Sequence, residues 1–245
     1  MVSGCIYYTD FHADPLILEV CRNQLRKVFD GEIVSVSLNK PLDFGRNIMV
    51  EGERGYPTMV RQIITGLENS TSDYVFFTEN DVLYHKSHFD FVPPRDNIFY
   101  YNCNNWRWEV GSKIAIRHDR MLPLSALCVN REFALDHYKR RLDFILEHNY
   151  DTEIKGQPKW MRKMGFEPGT KTTKRGGFSD DDFEIWTSEG ANIDIRHKGA
   201  FSPTKIKLED FIHKPKWWSE IPIEDIKDWD LKELFSTWYN DRYER

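Results

Sequence analysis

Apolar and polar positions change period several times along the first eighty residues, and each change marks an element. Cys5-Ile6-Tyr7-Tyr8 is a short unbroken apolar run, which suits a strand covered on both faces. Asp14 then stands before Pro15, an N-cap followed by a residue well tolerated in the first helical turn. Ile17, Cys21, Leu25 and Val28 recur at helical spacing until Gly31 stops the pattern. Glu32 to Leu38 alternates as a second strand, and Asn39 to Pro57 reads as a loop rich in Gly, Asn and Pro that carries Arg46 and Arg54. Met59, Ile63, Ile64 and Leu67 mark a second helix, and Tyr74 opens a third, buried strand. Strands alternating with helical crossovers predict an α/β fold on a mostly parallel sheet with right-handed connections.

Beyond residue 90, Ile98 to Tyr101 and Leu124 to Val129 read as further strands. Asn130 caps a long amphipathic helix through Phe133, Tyr138, Leu142 and Ile145. The stretch from 150 to 177 is polar, basic and Gly-rich, which suits a loop over a site. A short helix is expected from Ser179, then a strand Asn192 to Arg196 that ends at His197. From residue 205 onward Trp217, Trp218, Trp229 and Trp238 stand among charges, so 205–245 is expected to be a Trp-rich extension packed on a domain spanning 1–204.

Composition narrows the classes. A formal charge of -5 over 245 residues leaves no global basic footprint for nucleic acid, although a local stripe remains open. The cysteines at 5, 21, 103 and 128 have neither CxxC spacing nor a dense framework, so reduced thiols in a cytoplasmic protein are expected. Met1 to Gly4 lead straight into the first strand without a signal-like segment, and no run approaches the ~18 apolar residues of a membrane helix. Aromatic residues make up 14% of the chain, a share that fits either a large core or stacking on sugars or bases. No GxGxxG follows the first strand, and no GxxxxGK[ST] or GxSxG is present, which argues against a dinucleotide oxidoreductase, a P-loop NTPase and an α/β-hydrolase.

Candidate chemistry gathers at three places. The strand Tyr74 to Phe77 runs on through Thr78 into Glu79-Asn80-Asp81. If the backbone stays extended, the two carboxylates point the same way and can clamp a divalent cation; the plainer alternative is that they cap a solvated turn. His197 shares parity with Ile193 and Ile195 and would leave the strand end on their face, as a third ligand or as a structural histidine. The pair His85 and His88 lacks the HExxH glutamate and reads as a surface turn. In Gly176-Gly177-Phe178-Ser179-Asp180-Asp181-Asp182, the aspartates either favour a helix start or supply a general base. Tyr8, Thr9, Asp10 and Ser37 lie at the carboxyl ends of the first two strands, where open α/β sheets bind ligands, though Asp10 also suits a turn.

Taken in order, these residues resemble the GT-A nucleotide-sugar glycosyltransferases, particularly the family 2-like group, over about residues 5 to 205. The stretch from Asp73 to Asp81 is similar to that family's strand and DxD motif, with Glu79 for the first Asp; GGFSDDDFE is similar to its acceptor segment, and NIDIRHKG to its late strand. GERGYPTMVRQI, FFTENDVLYHKSHFDFVPPRD and NIDIRHKGAFSP also resemble a phage and environmental group that includes suspected DNA-base glucosyltransferases.

The resemblance implies a GT-A-like, Rossmann-like mostly parallel mixed sheet flanked by helices with a C-terminal extension. It implies a metal-dependent, inverting hexosyltransferase. Glu79, Asp81 and His197 would hold Mn²⁺ or Mg²⁺, and Asp181, or else Asp180 or Asp182, would be the base. Tyr8, Thr9, Asp10, Ser37, Arg61 and Asn80 would receive a UDP-sugar, with Arg46, Lys171 or Lys174 adding charge. The acceptor would be hydroxymethylated pyrimidine in DNA or a glycan, with Trp106 and Trp108 as candidate contacts. A nucleotidyltransferase and a non-catalytic carbohydrate-binding module are the alternatives.

Overall fold

A computed structural model describes residues 2–119, 121–147, 183–200 and 205–236. Two sheets form the scaffold. The first has seven strands: β1 (Ser3–Thr9), β2 (Glu32–Leu38), β3 (Arg46–Val50), β4 (Tyr74–Glu79), β6 (Phe99–Asn102), β9 (Leu127–Asn130) and β10 (Phe183–Trp186), in the spatial order β10-β6-β9-β4-β1-β2-β3. All its pairings are parallel except those of β9, which runs antiparallel to β4 and β6. The second sheet is ordered β12-β8-β7-β11-β5, from β5 (Val82–Leu83), β7 (Asn105–Glu109), β8 (Ile114–His118), β11 (Asn192–Arg196) and β12 (Trp218–Pro222). Within it only β7 and β11 run parallel. The molecule is therefore α/β, with a mostly parallel mixed sheet and flanking helices.

The helices follow from local chemistry. In α1 (Pro15–Val28) the Asp14 carboxylate accepts from Leu16 N at 2.9 Å, and Ile17, Cys21 and Leu25 are buried. In α2 (Tyr56–Asn69) Val60, Ile63, Ile64 and Leu67 pack against Ile6, Val34 and Phe77 in the core of the first sheet. Gln62 lies on the same buried side, and its amide donates to the carbonyls of Thr9 and Val36, 3.0 Å each, stitching the ends of β1 and β2. For α3 (Arg131–Glu147), the Asn130 side chain accepts from Phe133 N at 3.1 Å, the expected cap.

Four expectations change. The loop predicted from Asn39 to Pro57 contains β3, a half-exposed edge strand whose Arg-Asn-Ile-Met-Val sequence carries too weak a period to announce itself. The helix expected from Ser179 begins outside the described residues, and from Phe183 to Trp186 the chain is instead a strand paired with β6. His88 is fully buried among Phe76, Tyr84, Phe89 and Trp186, so it points inward from a turn on which His85 is half-buried and Lys86 exposed. Trp108 is likewise fully buried, in the core of the second sheet with Ile17, Ile193 and Ile195, where its indole N–H donates to the Ser112 carbonyl at 3.0 Å, so it is a packing residue.

From residue 205, β12 forms the edge of the second sheet, and Ile223, Ile226, Trp229, Leu231 and Phe235 pack into the same core as Trp108. Among the described residues no helix is long and apolar enough to cross a membrane.

Candidate active site

The two sheets meet where β4 ends. Extended backbone stops at Glu79, Asn80 and Asp81 form a turn, and the chain re-enters extension as β5 in the second sheet. The alternation that would have aimed Glu79 and Asp81 the same way therefore does not operate. Asp81 is placed instead by β11, because its carbonyl accepts from Ile195 N at 2.9 Å. Its carboxylate then meets the ring of His197, Oδ2 to Nε2 at 3.1 Å, with both side chains largely buried.

His197 is held from both sides. Gly199 N–H donates to its Nδ1 at 3.1 Å. A backbone amide can only donate, so Nδ1 carries the lone pair and the proton of the neutral ring sits on Nε2, directed at Asp81. The Gly199 turn fits closely: a Cβ at Gly199 would lie 2.4 Å from the carbonyl oxygen of His12.

Glu79 faces β1. The Tyr8 hydroxyl donates to its Oε1 at 2.7 Å, and its own N–H donates to the Tyr84 hydroxyl oxygen at 3.0 Å. Burial, then the charge of Asp81, pushes the Glu79 carboxyl up to about 8; Asp194 adds to this, while the Tyr8 hydrogen bond and Arg196 oppose it.

The residues after β1 complete the rim. Thr9 Oγ1 accepts from Asn80 Nδ2 at 2.7 Å and from Phe11 N at 3.1 Å, and Phe11 takes a positive φ of 60° as the chain turns. Asp10 accepts from His12 N at 2.9 Å and from Arg54 Nε at 2.5 Å.

Of the residues expected to receive a donor, Tyr8, Thr9, Asp10 and Asn80 are thus brought together. Ser37 is fully buried, and its hydroxyl is engaged by Asn47, tying β2 to β3. Arg61 lies exposed on α2, beside the inward Val60 and Gln62. Asp180, Asp181, Asp182, Lys171 and Lys174 lie outside the described residues.

One polar cluster was not anticipated. Ile193 and Ile195 fill one face of β11, but the opposite face is buried as well, and it carries Asp194 and Arg196. Asp194 bridges Arg196 Nη1 at 3.1 Å and Arg107 Nε at 3.4 Å. Burial alone would raise the Asp194 carboxyl, yet the two guanidiniums hold it below its usual range. Arg196 is stabilised as a cation chiefly by Asp194, and also by Asp81 and Glu79. The clue available in the sequence was Asp and Arg two positions apart on a strand, hence on one face.

The donor chemistry suits a divalent cation in part. Asp81 and His197 offer one oxygen and one nitrogen side by side, but Gly199 N–H holds the Nδ1 lone pair, so Nε2 could take a cation only if that contact broke and the ring proton moved to Nδ1. Glu79 is occupied by Tyr8, and among the described residues no three His, Cys, Asp or Glu side chains form a group arranged to hold a metal. As arranged, the Asp81 carboxylate alone fits as a ligand of a shell that other oxygens would complete, with the His197 Nε2–H holding it in place.

No protein-family model matches the chain, and no curated protein matches it. Among solved structures, it is similar to S. aureus TarS residues 1–349 in complex with UDP-GlcNAc, at 13% identity over 86% of this chain and 63% of that one, TM-score 0.44. It is similar to the apo-form glycosyltransferase GlyE of Streptococcus pneumoniae TIGR4, at 11% identity over 63% of this chain and 41% of that one, TM-score 0.40. The bifunctional IspDF from Campylobacter jejuni is also similar, at 14% identity over 78% of this chain and 50% of that one, TM-score 0.39. The chain thus spans 41% to 63% of the length of these structures. At such values the likeness is one of outline, and the functional argument rests on the residues.

Proposed function

We propose that the chain is a glycosyltransferase that moves a hexose from a nucleotide diphosphate sugar, a UDP-sugar, to an acceptor hydroxyl with inversion. The observation that carries the reading is the Asp81–His197 pair, set at the carboxyl ends of β4 and β11 beside the Tyr8–Asp10 rim of β1. In an open α/β sheet that edge is the ligand crevice. The resemblance of the DxD-like strand, the acidic acceptor segment and the histidine strand, in the same order, supports it.

In this reading Tyr8, Thr9, Asp10 and Asn80 bound the donor pocket, and Asp81 would hold Mn²⁺ or Mg²⁺, with His197 joining it once its ring proton moves to Nδ1. The cation supplies positive charge for the departing diphosphate. Asp181, or its neighbour Asp180 or Asp182, takes the proton of the acceptor hydroxyl as that oxygen bonds to the anomeric carbon. The sugar–diphosphate bond breaks, and its electron pair leaves with the nucleoside diphosphate. The acceptor is a hydroxymethylated pyrimidine in DNA or a glycan.

The test is product analysis with a panel of nucleotide sugars and divalent cations. Release of nucleoside diphosphate, lost in Asp81→Ala, is the expected result. Pyrophosphate release would make the chain a nucleotidyltransferase, and sugar binding without turnover would make it a carbohydrate-binding module. Mass spectrometry of hydroxymethylated DNA and of glycans after incubation identifies the acceptor.

A further inference from the structure

The contacts around His197 close into a ring through a residue that the proposed chemistry does not use. Arg54 lies in the loop between β3 and α2. Its Nε donates to Asp10 Oδ2 at 2.5 Å, and its Nη2 donates to the carbonyl of Gly199 at 2.6 Å. From Asp10 the chain leads back to Thr9, which holds Asn80. Next to Asn80, Asp81 meets His197, and the His197 ring is capped by Gly199 N–H, which returns the path to Arg54. Four separate segments, those following β1, β3, β4 and β11, thus share one closed circuit of hydrogen bonds. The two Arg54 contacts are its shortest, and the Arg54–Asp10 link is charge-assisted, the stronger kind.

We propose that Arg54 is a positioning residue for His197. By gripping the Gly199 carbonyl it fixes the peptide whose neighbouring N–H faces Nδ1, and that N–H selects the ring tautomer whose Nε2–H faces Asp81. The ion pair with Asp10 anchors the grip to the loop after β1, so the histidine turn and the donor rim are set as one unit. The geometry of this role stands by itself; its purpose, aiming an imidazole at the reaction centre, rests on the glycosyltransferase reading.

The experiment separates the two. Ring ¹⁵N resonances of His197 are recorded on the neutral side chain by long-range ¹H–¹⁵N correlation, assigned through His197→Gln, in the full-length wild type, Arg54→Met and Arg54→Lys. Wild type is expected to show the Nε2-protonated tautomer. Arg54→Met should show averaging of the two tautomers and a 10- to 100-fold lower kcat for nucleoside diphosphate release, on the order found when outer partners of a functional histidine are removed. Arg54→Lys, able to keep one of the two contacts, should recover part of both. Unchanged His197 resonances in folded Arg54→Met overturn the proposal. If that variant does not fold, Gly199→Ala replaces it, since a Cβ there displaces the turn from His12, and an unmoved His197 tautomer in it overturns the proposal equally. A tautomer shift in a protein with no donor turnover upholds the positioning role and removes the glycosyltransferase reading instead.

Discussion

Two histidines in this molecule hold the same tautomer and lead opposite lives. The Nδ1 of His88 receives the side-chain amides of Asn102 at 3.0 Å and Asn192 at 3.1 Å, much as the Nδ1 of His197 receives the Gly199 N–H. In both rings the proton is therefore left on Nε2. At His88 that N–H points among aromatic rings and finds no hydrogen-bond partner among the described residues. At His197 it meets the carboxylate of Asp81. What receives Nε2, rather than burial or ring orientation, separates a packing histidine from the one the proposed chemistry draws on.

The sharpest way to break this comparison is truncation. His88→Ala should cost about 3–5 kcal/mol in urea unfolding, the range for emptying a large core site. Turnover per folded molecule should stay at the wild-type level. His197→Gln should do the reverse, reducing nucleoside diphosphate release at least ~100-fold, about 2.7 kcal/mol, with a smaller change in the unfolding midpoint. Equal effects on stability would erase the distinction.

Acid and alkali sharpen it further. Burial pushes the His88 ring down to about 3. The unfolded chain therefore binds the extra proton first. The stability tied to His88 is complete above the ordinary histidine pKa of about 6.5 and falls by up to about 1.4 kcal/mol per pH unit from there down toward 3.

Glu79 runs the other way. Its carboxyl is raised to about 8, so its contribution is complete below the unfolded value of 4.5 and is lost as pH climbs through 8. Without added cation, Glu79→Gln should gain on wild type between those limits, as read from unfolding midpoints at pH 5, 7 and 9. A flat difference would show that Glu79 is ionised throughout. The smallest expected effect is that of Tyr8→Phe, which removes one hydrogen bond to Glu79 for about 0.5–1.5 kcal/mol and raises that carboxyl further. A pH titration followed by infrared carboxyl bands checks it.

What could be read beforehand follows the range of the signal. The strands β1 and β4 are dense apolar runs, β2 alternates, α1 is introduced by Asp14 and Pro15, and α3 by Asn130; each is a local pattern and each was legible. The second sheet, β11 apart, was not. Its strands are short, β5 is only Val82 and Leu83, and it pairs with Asp194 and Ile193 more than a hundred residues away. No local period encodes such a pairing. Asp81 and His197 could be nominated because each ends a legible strand, but the turn that separates Asp81 from Glu79 could not, since it exists to pass the chain from one sheet to the other. Arg54 and the Asp194 cluster were hidden for the same reason, as their partners come from remote segments.

That turn also has a consequence in time. Asp81 leaves the ribosome 116 residues ahead of His197. Strands β1, β2 and β4 can pair with one another as soon as residue 79 is free, while β4's other neighbour, β9, follows at Leu127–Asn130; the centre closes only after β11 arrives, with the loop-closure entropy of that long span still to be met. A chain interrupted before residue 192 lacks β11 and with it the centre. The contact between Asp81 and His197 is therefore acquired late, once β11 has been synthesised.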